Sequence, residues 1–317
     1  MAHGKWAYTK GLHDIGNGAF AYLQPDGSWG WSNAGLITDS GESMLVDTLF
    51  DLPLTRAMLA AMNRAAPSAP IRKLVNTHSN GDHCNGNELV AGAEIIASKA
   101  CADEMRHEGP ERLAAMMKAA PSMGAVGEYM LKIFGAFQFE GIRGALPTRT
   151  FEGELELHVG SKPVRLIQVG PAHTRGDVLV HVPADRTIFT GDILFIGGHP
   201  IIWAGPVANW IAACDRMLAL EVETIVPGHG PITGKAGVAA LKAYLEYIHR
   251  EARMRFDAGM PAAEAARDIA LDAYASWTDA ERIAINVATL YREFSPGAPG
   301  ADVTALFAQM AAMAQKQ

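Results

Sequence analysis

The feature that most constrains the fold is the alternation of short β-branched runs with segments of helical periodicity. The runs are bounded by turn residues, a pattern that predicts strands. We predict strands at 35–38, 44–47, 71–76, 94–97, 164–169, 178–182, 187–190 and 224–226, and helices at 54–66, 87–91 and 207–220. Because strands and helices are interleaved, a layered α/β fold is favoured over an all-β sandwich.

Two segments depart from this alternation. Residues 103–144 are rich in Met and Phe and predict a helical insertion, in which methionine most often serves as flexible core filler. Residues 235–317 have a helical pattern almost throughout and predict a packed extension or a dimer surface. We therefore divide the chain into a main domain at 1–234 and a helical extension at 235–317, through which a homo-oligomer could form.

The charge balance excludes several classes of partner. The chain has 27 Lys and Arg against 34 Asp and Glu, a net charge of −7, without a long run of either sign. We expect neither a nucleic acid partner nor a membrane partner. The stretch 193–214 lacks charged residues, but glycines and prolines interrupt it, so we predict a buried loop followed by a helix. Three cysteines without CxxC spacing and an N-terminus without an apolar signal segment favour a cytoplasmic protein.

Side chains of metal-binding type follow several of the predicted strands. They are His78, Asp82 and His83 in one loop after 71–76, and His173, Asp192 and His229 on separate glycine-bearing turns. Active sites of open α/β sheets form at the carboxyl ends of the strands. Imidazole and carboxylate ligands without thiolates suit Zn, Mn or Fe. The pattern therefore predicts a metal site.

The motifs that contain these residues resemble those of the metallo-β-lactamase-fold hydrolase superfamily. In chain order they are an HxHxDH-type loop at 77–83, Gly-x-x-His-Thr-x-Gly-Asp at 170–177, Thr-Gly-Asp at 190–192 and Pro-Gly-His-Gly at 227–230. The resemblance implies an αββα sandwich, in which two mixed sheets carry helices outside and metals at one edge. It agrees with the strand and helix alternation.

The resemblance also implies two neighbouring metal sites. The first would use His78, the residue at position 80 and His173; the second would use Asp82, His83 and His229, with Asp192 bridging both. Position 80 is Asn80 where the family has His, and an amide oxygen is a weaker zinc ligand than an imidazole nitrogen. We expect one or two Zn ions per chain, with Mn or Fe as other candidates, the second site being filled and the first weakened.

A metal site without an apparent Ser or Cys nucleophile indicates hydrolysis by a metal-held hydroxide. Bound Zn²⁺ lowers the pKa of its water to about 7. The sequence lacks a Gly-x-Ser-x-Gly elbow, a Walker loop and a Gly-x-Gly-x-x-Gly fingerprint. We predict a metal-dependent hydrolase in which Asp82 orients the nucleophile in addition to ligating the metal.

Aromatic residues near these motifs are candidates for the substrate pocket. Trp31 precedes the segment Ser32 to Gly35, while Trp203 and Trp210 lie in the uncharged stretch after Asp192; we predict these three tryptophans as pocket walls. His199 in a Gly-Gly-His-Pro turn is a candidate catalytic donor to the substrate. The uncharged segment and the Met and Phe insertion favour a small, largely uncharged ester, lactone, thioester or related substrate.

Two other functions remain open. His78, His173 and Asp192 form the two-histidine, one-carboxylate set of mononuclear iron oxygenases, and the superfamily includes persulfide dioxygenases. The intact Asp82, His83 and His229 set argues against that alternative. A catalytically degenerate binding protein is the third possibility, supported by Asn80 alone.

Overall fold

Two β-sheets packed face to face form the centre of the fold in this computed structural model, which describes residues 6–295, 297 and 302–315. Across the described residues, the first sheet orders its strands as β1 (Gly11–Gly16), β2 (Ala19–Leu23), β3 (Ala34–Asp39), β4 (Glu42–Val46), β5 (Ile71–Val75), β6 (Glu94–Ser98) and β7 (Arg149–Phe151). The second orders them as β12 (Thr224–Val226), β11 (Thr187–Phe189), β10 (Val178–Val182), β9 (Lys162–Gln168) and β8 (Glu154–Val159).

Both sheets are mixed. The pairs β1–β2, β2–β3 and β3–β4 are antiparallel, whereas β4–β5, β5–β6 and β6–β7 are parallel. In the second sheet only β11 and β12 pair in parallel. Apolar side chains from the two inner faces form one cluster that includes Ile37, Met44, Val75, Val164, Leu166, Val180 and Phe189. Burying each such side chain contributes about 1.5–3 kcal/mol, which holds the sheets together.

Helices cover the outer faces of both sheets. Their bounds are α1 (Leu52–Ala65), α2 (Gly81–Cys84), α3 (Lys99–Met105), α4 (Pro110–Ala119), α5 (Gly124–Phe134), α6 (Val207–Ala219), α7 (Lys235–Asp257), α8 (Ala262–Asp268), α9 (Ile283–Phe294) and α10 (Val303–Ala314). Met58 and Met62 of α1 pack on the first sheet, and Trp210 of α6 packs on the second. The αββα sandwich, with a helical insertion and helical C-terminus, is confirmed.

Some predicted elements differ from the structure. The segment 87–91 contains only a short 3₁₀ turn, Asn87–Leu89, instead of an α-helix. Strands β1, β2, β7 and β8 were absent from the prediction. Most positions of β1 and β7 are only partly buried, so their apolar pattern is weak, whereas β8 alternates apolar and polar residues (ELELHV) and carried a readable signal.

The C-terminal helices share a core with the second sheet. Leu241 and Leu245 of α7 lie in the same hydrophobic cluster as Leu179 of β10. The division at residue 234 and assembly through these helices remain predictions. None of the helices in the described residues has the length and apolarity needed to cross a bilayer. The stretch 193–214 is a loop followed by α6, as predicted.

Candidate metal centre

The predicted ligands come together at one edge of the sandwich. The loop after β5 carries His78, Asp82 and His83, and the loops after β9, β11 and β12 carry His173, Asp192 and His229. Strands β9, β11 and β12 run in the same direction, so their carboxyl ends lie at the same edge of the second sheet. This arrangement places residues that are up to about 150 positions apart in one site.

Asp192 lies at the centre of the cluster. Its carboxylate oxygens are 3.0 Å from Nε2 of His83, 3.3 Å from Nε2 of both His173 and His229, and 3.7 Å from Nε2 of His78. Nε2 of His229 also lies 3.2 Å from Oδ2 of Asp82. One carboxylate therefore faces four imidazoles, the position predicted for a bridging ligand.

Several buried atoms of the cluster lack a hydrogen-bond partner, which tests whether a cation fits. Among the described residues, Nε2 of His78 has none, and Nε2 of His83 and Oδ1 of Asp192 lie 3.0 Å apart without forming a hydrogen bond. Ligand atoms of His78, His83 and Asp192 lie within 4.8 Å of one another, as do those of Asp82, His83 and His229. An unpaired buried polar atom costs about 1–3 kcal/mol. The residues present therefore fit a divalent transition metal ion with nitrogen and oxygen ligands.

The ring nitrogens that point away from the cluster are held by other groups. Nδ1 of His83 lies 3.0 Å from Oδ2 of Asp47, Nδ1 of His78 lies 2.9 Å from Oγ1 of Thr77, and Nδ1 of His173 donates to the carbonyl oxygen of Ile201 at 2.7 Å. Such contacts fix the tautomer and orientation of metal-ligating histidines. Asp47 was missed from sequence, although it ends a predicted strand, and an acidic residue close to a strand end was the signal that identified Asp192.

The histidines fall into two electrostatic groups. Burial favours the neutral form of every ring, yet Asp192 and Asp82 outweigh it at His83 and raise the pKa of His229 to about 9. Burial prevails at His78 and lowers the pKa of His173 to about 4. The negative potential that favours a proton on His83 and His229 also favours a metal cation beside them.

Asn80 stands where the related family has a third histidine of the first site, and its side chain contacts another proposed ligand of that site. Its Oδ1 lies 2.7 Å from Nε2 of His173. Because Nδ1 of His173 faces a carbonyl oxygen and carries the proton, Nε2 can only accept, so the Asn80 group that pairs with it is the NH₂, with O and N of that amide interchanged. The nitrogen that would ligate a first metal already has a partner.

Close contacts with Asn33 and Asp192 fix the position of the loop that carries His229. The side-chain amide of Asn33 donates to the carbonyl oxygens of Pro227 and Gly230 at 3.0 and 2.8 Å. A Cβ at Gly228 would lie 2.0 Å from Oδ1 of Asp192, so only glycine lets the two loops approach this closely. These contacts hold the ligands of separate strands in register.

A cavity of about 170 Å³ opens beside the cluster. Asn80, Asp82, His173, Asp192 and His229 form its polar side. Its apolar side is formed by Trp29, Phe50, Leu113, Phe134, Phe195 and Trp203, and Arg282 also lines it. Leu113 and Phe134 come from the insertion and Arg282 from the C-terminal helical region, so both added segments complete the cavity.

Only one of the three tryptophans predicted as pocket walls lines this cavity. Trp203 does, but Trp31 contributes to a separate depression and Trp29 takes the expected place. Trp210 has no exposed surface, donates from Nε1 to the carbonyl oxygen of Ile193 at 2.9 Å and belongs to the core. Only Gly30, with φ of 75°, separates Trp29 from Trp31, so the two rings lie on either side of a sharp backbone turn.

His199 lies away from the cavity wall. It is fully buried, with Nδ1 3.0 Å from the Tyr244 hydroxyl and its ring against Trp277. Burial lowers the pKa of His199 to about 4. His199 therefore packs against α7 and the segment around Trp277, and we propose no catalytic role for it.

Similar proteins agree with this architecture. The chain is 27% identical over 188 residues to the 2,4-dinitroanisole O-demethylase subunit alpha of Nocardioides sp. (strain JS1661), a match that covers 58% of this chain and 48% of that protein. It is 26% identical over 189 residues to a hydroxyacylglutathione hydrolase of Maricaulis maris (strain MCS10), covering 59% and 56%. The chain spans about half the length of these curated relatives.

A solved structure and a family model extend the comparison. The stereoselective inverting sec-alkylsulfatase from Pseudomonas sp. superposes with a TM-score of 0.68 at 15% identity, covering 91% of this chain and 51% of that one. At this identity the likeness concerns the fold alone. The family model of the metallo-beta-lactamase superfamily matches residues 27–229, which contain every predicted metal ligand. The chain belongs to the metallo-beta-lactamase superfamily.

Proposed function

We propose that the protein is a metal-dependent hydrolase of small, mainly apolar esters, lactones, thioesters or related substrates. The observation that carries the proposal is the convergence of His78, His83, His173 and His229 on the Asp192 carboxylate beside an open cavity. We propose zinc as the metal, with Mn or Fe as alternatives, because the set offers imidazole and carboxylate ligands without thiolate.

Each side chain has a distinct part in this proposal. A bound divalent ion supplies hydroxide at neutral pH by lowering the pKa of water. Asp82, His83, His229 and Asp192 would hold that ion. Burial favours the neutral form of Asp82, but His83 and His229 outweigh it and lower the pKa of its carboxyl, so Asp82 stays ionised and can orient a proton donor in the cavity.

The cavity supports a substrate with an apolar body. Phe50, Phe134 and Leu113 line the same cavity as Asp82 and Asp192, so the reacting bond would face the two carboxylates while the remainder of the substrate packs against the apolar side chains. Oriented binding of this kind accounts for a large part of the rate that enzymes achieve. The relative named hydroxyacylglutathione hydrolase supports the hydrolase class.

Cys84 is the nearest thiol to the ligands and is not a nucleophile in this proposal. Its Sγ lies 3.3 Å from the carbonyl oxygens of both Ser79 and Asn80, and burial raises the pKa of the thiol. The thiolate, which is the reactive form, is therefore disfavoured.

Chelation tests the proposal. The purified protein is assayed against esters, lactones and thioesters before and after treatment with a chelator, and again after addition of Zn²⁺ or Mn²⁺. We expect turnover that chelation abolishes and metal restores. Cys84→Ala is the control and should keep wild-type turnover. Turnover that survives chelation, or that Cys84→Ala removes, would contradict the proposal.

The iron-dioxygenase alternative receives less support from the geometry. It requires His78, His173 and Asp192 to share one ion, but Nε2 of His173 is already in contact with Asn80. Stoichiometric iron together with O₂ consumption on persulfides would favour that alternative over hydrolysis.

A further inference from the structure

Two buried donors, on side chains that line the cavity, have no acceptor among the described residues. They are Nε of Arg282 and Nε1 of Trp29, and both residues line the cavity beside the metal centre. The side chains are 2% and 7% exposed. Each of these N–H groups can only donate, so each lacks the partner that a buried donor needs.

The two side chains form one unit. The Arg282 guanidinium lies over the Trp29 ring, 4.4 Å from its centroid, and 5.7 Å from the Phe195 ring. Stacking of this type fixes the plane of the guanidinium without using its N–H groups. Both donors are therefore held in place before any ligand binds.

The other nitrogens of Arg282 explain how the cation is buried. Nη1 donates to the carbonyl oxygen of His199 at 2.8 Å, and Nη2 lies 3.3 Å from Oδ2 of Asp279. Asp279 also accepts from Ser28 and Thr278, so it is shared among several donors. These contacts leave Nε as the group that faces no acceptor.

A ligand that satisfies both donors needs acceptor oxygens and gains most if it is negatively charged. Hydrogen bonds to a charged acceptor are shorter and about twice as strong as neutral ones. Three carboxylates also line the cavity, those of Asp82, Asp192 and Glu108. A metal ion bound by Asp82 and Asp192 would offset their charge, and Glu108 is exposed, so solvent screens its repulsion of an anion.

We infer that Arg282 and Trp29 form a subsite for an anionic oxygen group, a carboxylate or a sulfate, carried by the substrate. The inference rests on the proposed function, because it concerns the cavity in which that reaction would occur. It limits the predicted uncharged character to the body of the substrate, which packs on Phe50 and Phe134. Arg282 follows the region matched by the family model, so the subsite depends on the C-terminal region of this chain.

Binding measurements test the subsite without requiring turnover. Hexanoate, hexyl sulfate and the neutral hexanol are titrated calorimetrically into the metal-replete protein at fixed ionic strength. Trp29→Phe keeps an aromatic ring beside the guanidinium, removes the N–H group and leaves a smaller ring. Arg282→Lys keeps the positive charge and replaces the guanidinium, including Nε, by an ammonium group. Thermal melting establishes that each variant is folded.

Arg255→Lys is the matched control. Arg255 also lies in the C-terminal extension, where it pairs with Glu251 and Asp268 away from the cavity. The same substitution there should leave all three dissociation constants unchanged.

We expect Arg282→Lys to raise the dissociation constant of at least one anion by about tenfold or more, and Trp29→Phe to raise it several-fold, with hexanol changed by less than about twofold. If the substitutions weaken binding of hexyl sulfate alone, the subsite is assigned to a sulfate. If they weaken binding of hexanoate alone, it is assigned to a carboxylate, and if they weaken both, the shared chemistry is supported. Unchanged anion binding, or an equal loss for hexanol, would overturn the inference.

The outcome is separable from the proposed hydrolysis. Selective anion binding by a protein that turns over no substrate would refute the proposed function and leave the subsite in place. Turnover together with anion binding that neither Trp29→Phe nor Arg282→Lys changes would support the proposed function and refute the subsite.

Discussion

The two halves of the candidate metal centre differ in the groups that surround their histidines. On the Asp82 side, Nε2 of His229 faces two carboxylates at 3.2 and 3.3 Å, and Nε2 of His83 has no hydrogen-bond partner. On the Asn80 side, Nε2 of His173 lies 2.7 Å from the side-chain amide of Asn80, and Nε2 of His78 has no hydrogen-bond partner among the described residues. The halves therefore differ mainly in electrostatics, because carboxylates raise the pKa values of His83 and His229, whereas burial lowers those of His78 and His173.

The difference teaches that the motif alone does not determine how many metals are bound. Position 80 lies in the loop after β5, yet its side chain contacts the His173 ring in the loop after β9. We therefore expect the Asp82 half to bind metal more tightly than the Asn80 half.

The largest effect is expected from the same substitution made in each half. His229→Ala should lose the bound metal and lower turnover by roughly 100-fold or more, because it removes a ligand from the Asp82 half. His173→Ala should keep that metal and lose less activity. Metal content and turnover of both variants are measured together; equal losses would remove the distinction between the halves.

Asp47→Asn tests how far metal affinity in the Asp82 half depends on a residue that is not itself a proposed ligand. Loss of the carboxylate that faces Nδ1 of His83 should weaken metal affinity by about 10- to 100-fold, with the fold retained. Competition with a chromophoric chelator measures the affinity. Asp51→Asn is the control, since Asp51 caps α1 and should leave affinity unchanged. Equal affinities of Asp47→Asn and wild type would show that Asp47 does not position His83.

Asn80→His should give the Asn80 half a complete set of three histidine ligands. The variant is expected to bind two metal ions per chain where the wild type binds one, because a third imidazole joins His78 and His173. Asn80→Ala is the control and should remain at one. An unchanged content in Asn80→His would show that something other than position 80 limits the first half.

His199 sharpens the comparison because its Nε2 also lacks a partner, yet no carboxylate lies within ion-pair distance of it among the described residues. Burial lowers its pKa to about 4, from about 6.5 when unfolded, so the unfolded chain binds the extra proton and stability falls as pH drops through this range.

Between pH 7 and pH 5, His199 should account for a loss of about 2 kcal/mol in the free energy of unfolding. His199→Phe cannot ionise and should show a correspondingly smaller loss, which denaturant unfolding at the two pH values measures. Turnover should persist in the variant. Identical pH dependence of the two proteins would contradict the burial argument.

The metal ligands and the sandwich could be predicted because both have short, local signals. His78, Asp82 and His83 share one loop, and the inner strands are apolar and β-branched. The cavity could not be predicted in the same way. Trp29 and Arg282 lie more than 250 positions apart, and only the packing of the C-terminal helices on the main domain brings them into contact.

Trp210 and His199 show the opposite limit. Both are residue types typical of sites and both lie close in sequence to Asp192, but each side chain points into the core. Composition and proximity along the chain do not specify side-chain direction, which is set by the turns that precede α6 and by the helices that pack over them.

The most direct test is the metal content per chain of protein purified without added metal, compared between wild type and Asp192→Ala. Within the part of the chain that the structure describes, Asp192 is the carboxylate that faces all four histidines. We predict about one tightly bound transition metal ion in the wild type and almost none in the folded variant. A metal-free wild type, or a variant that retains the same content, would contradict the account.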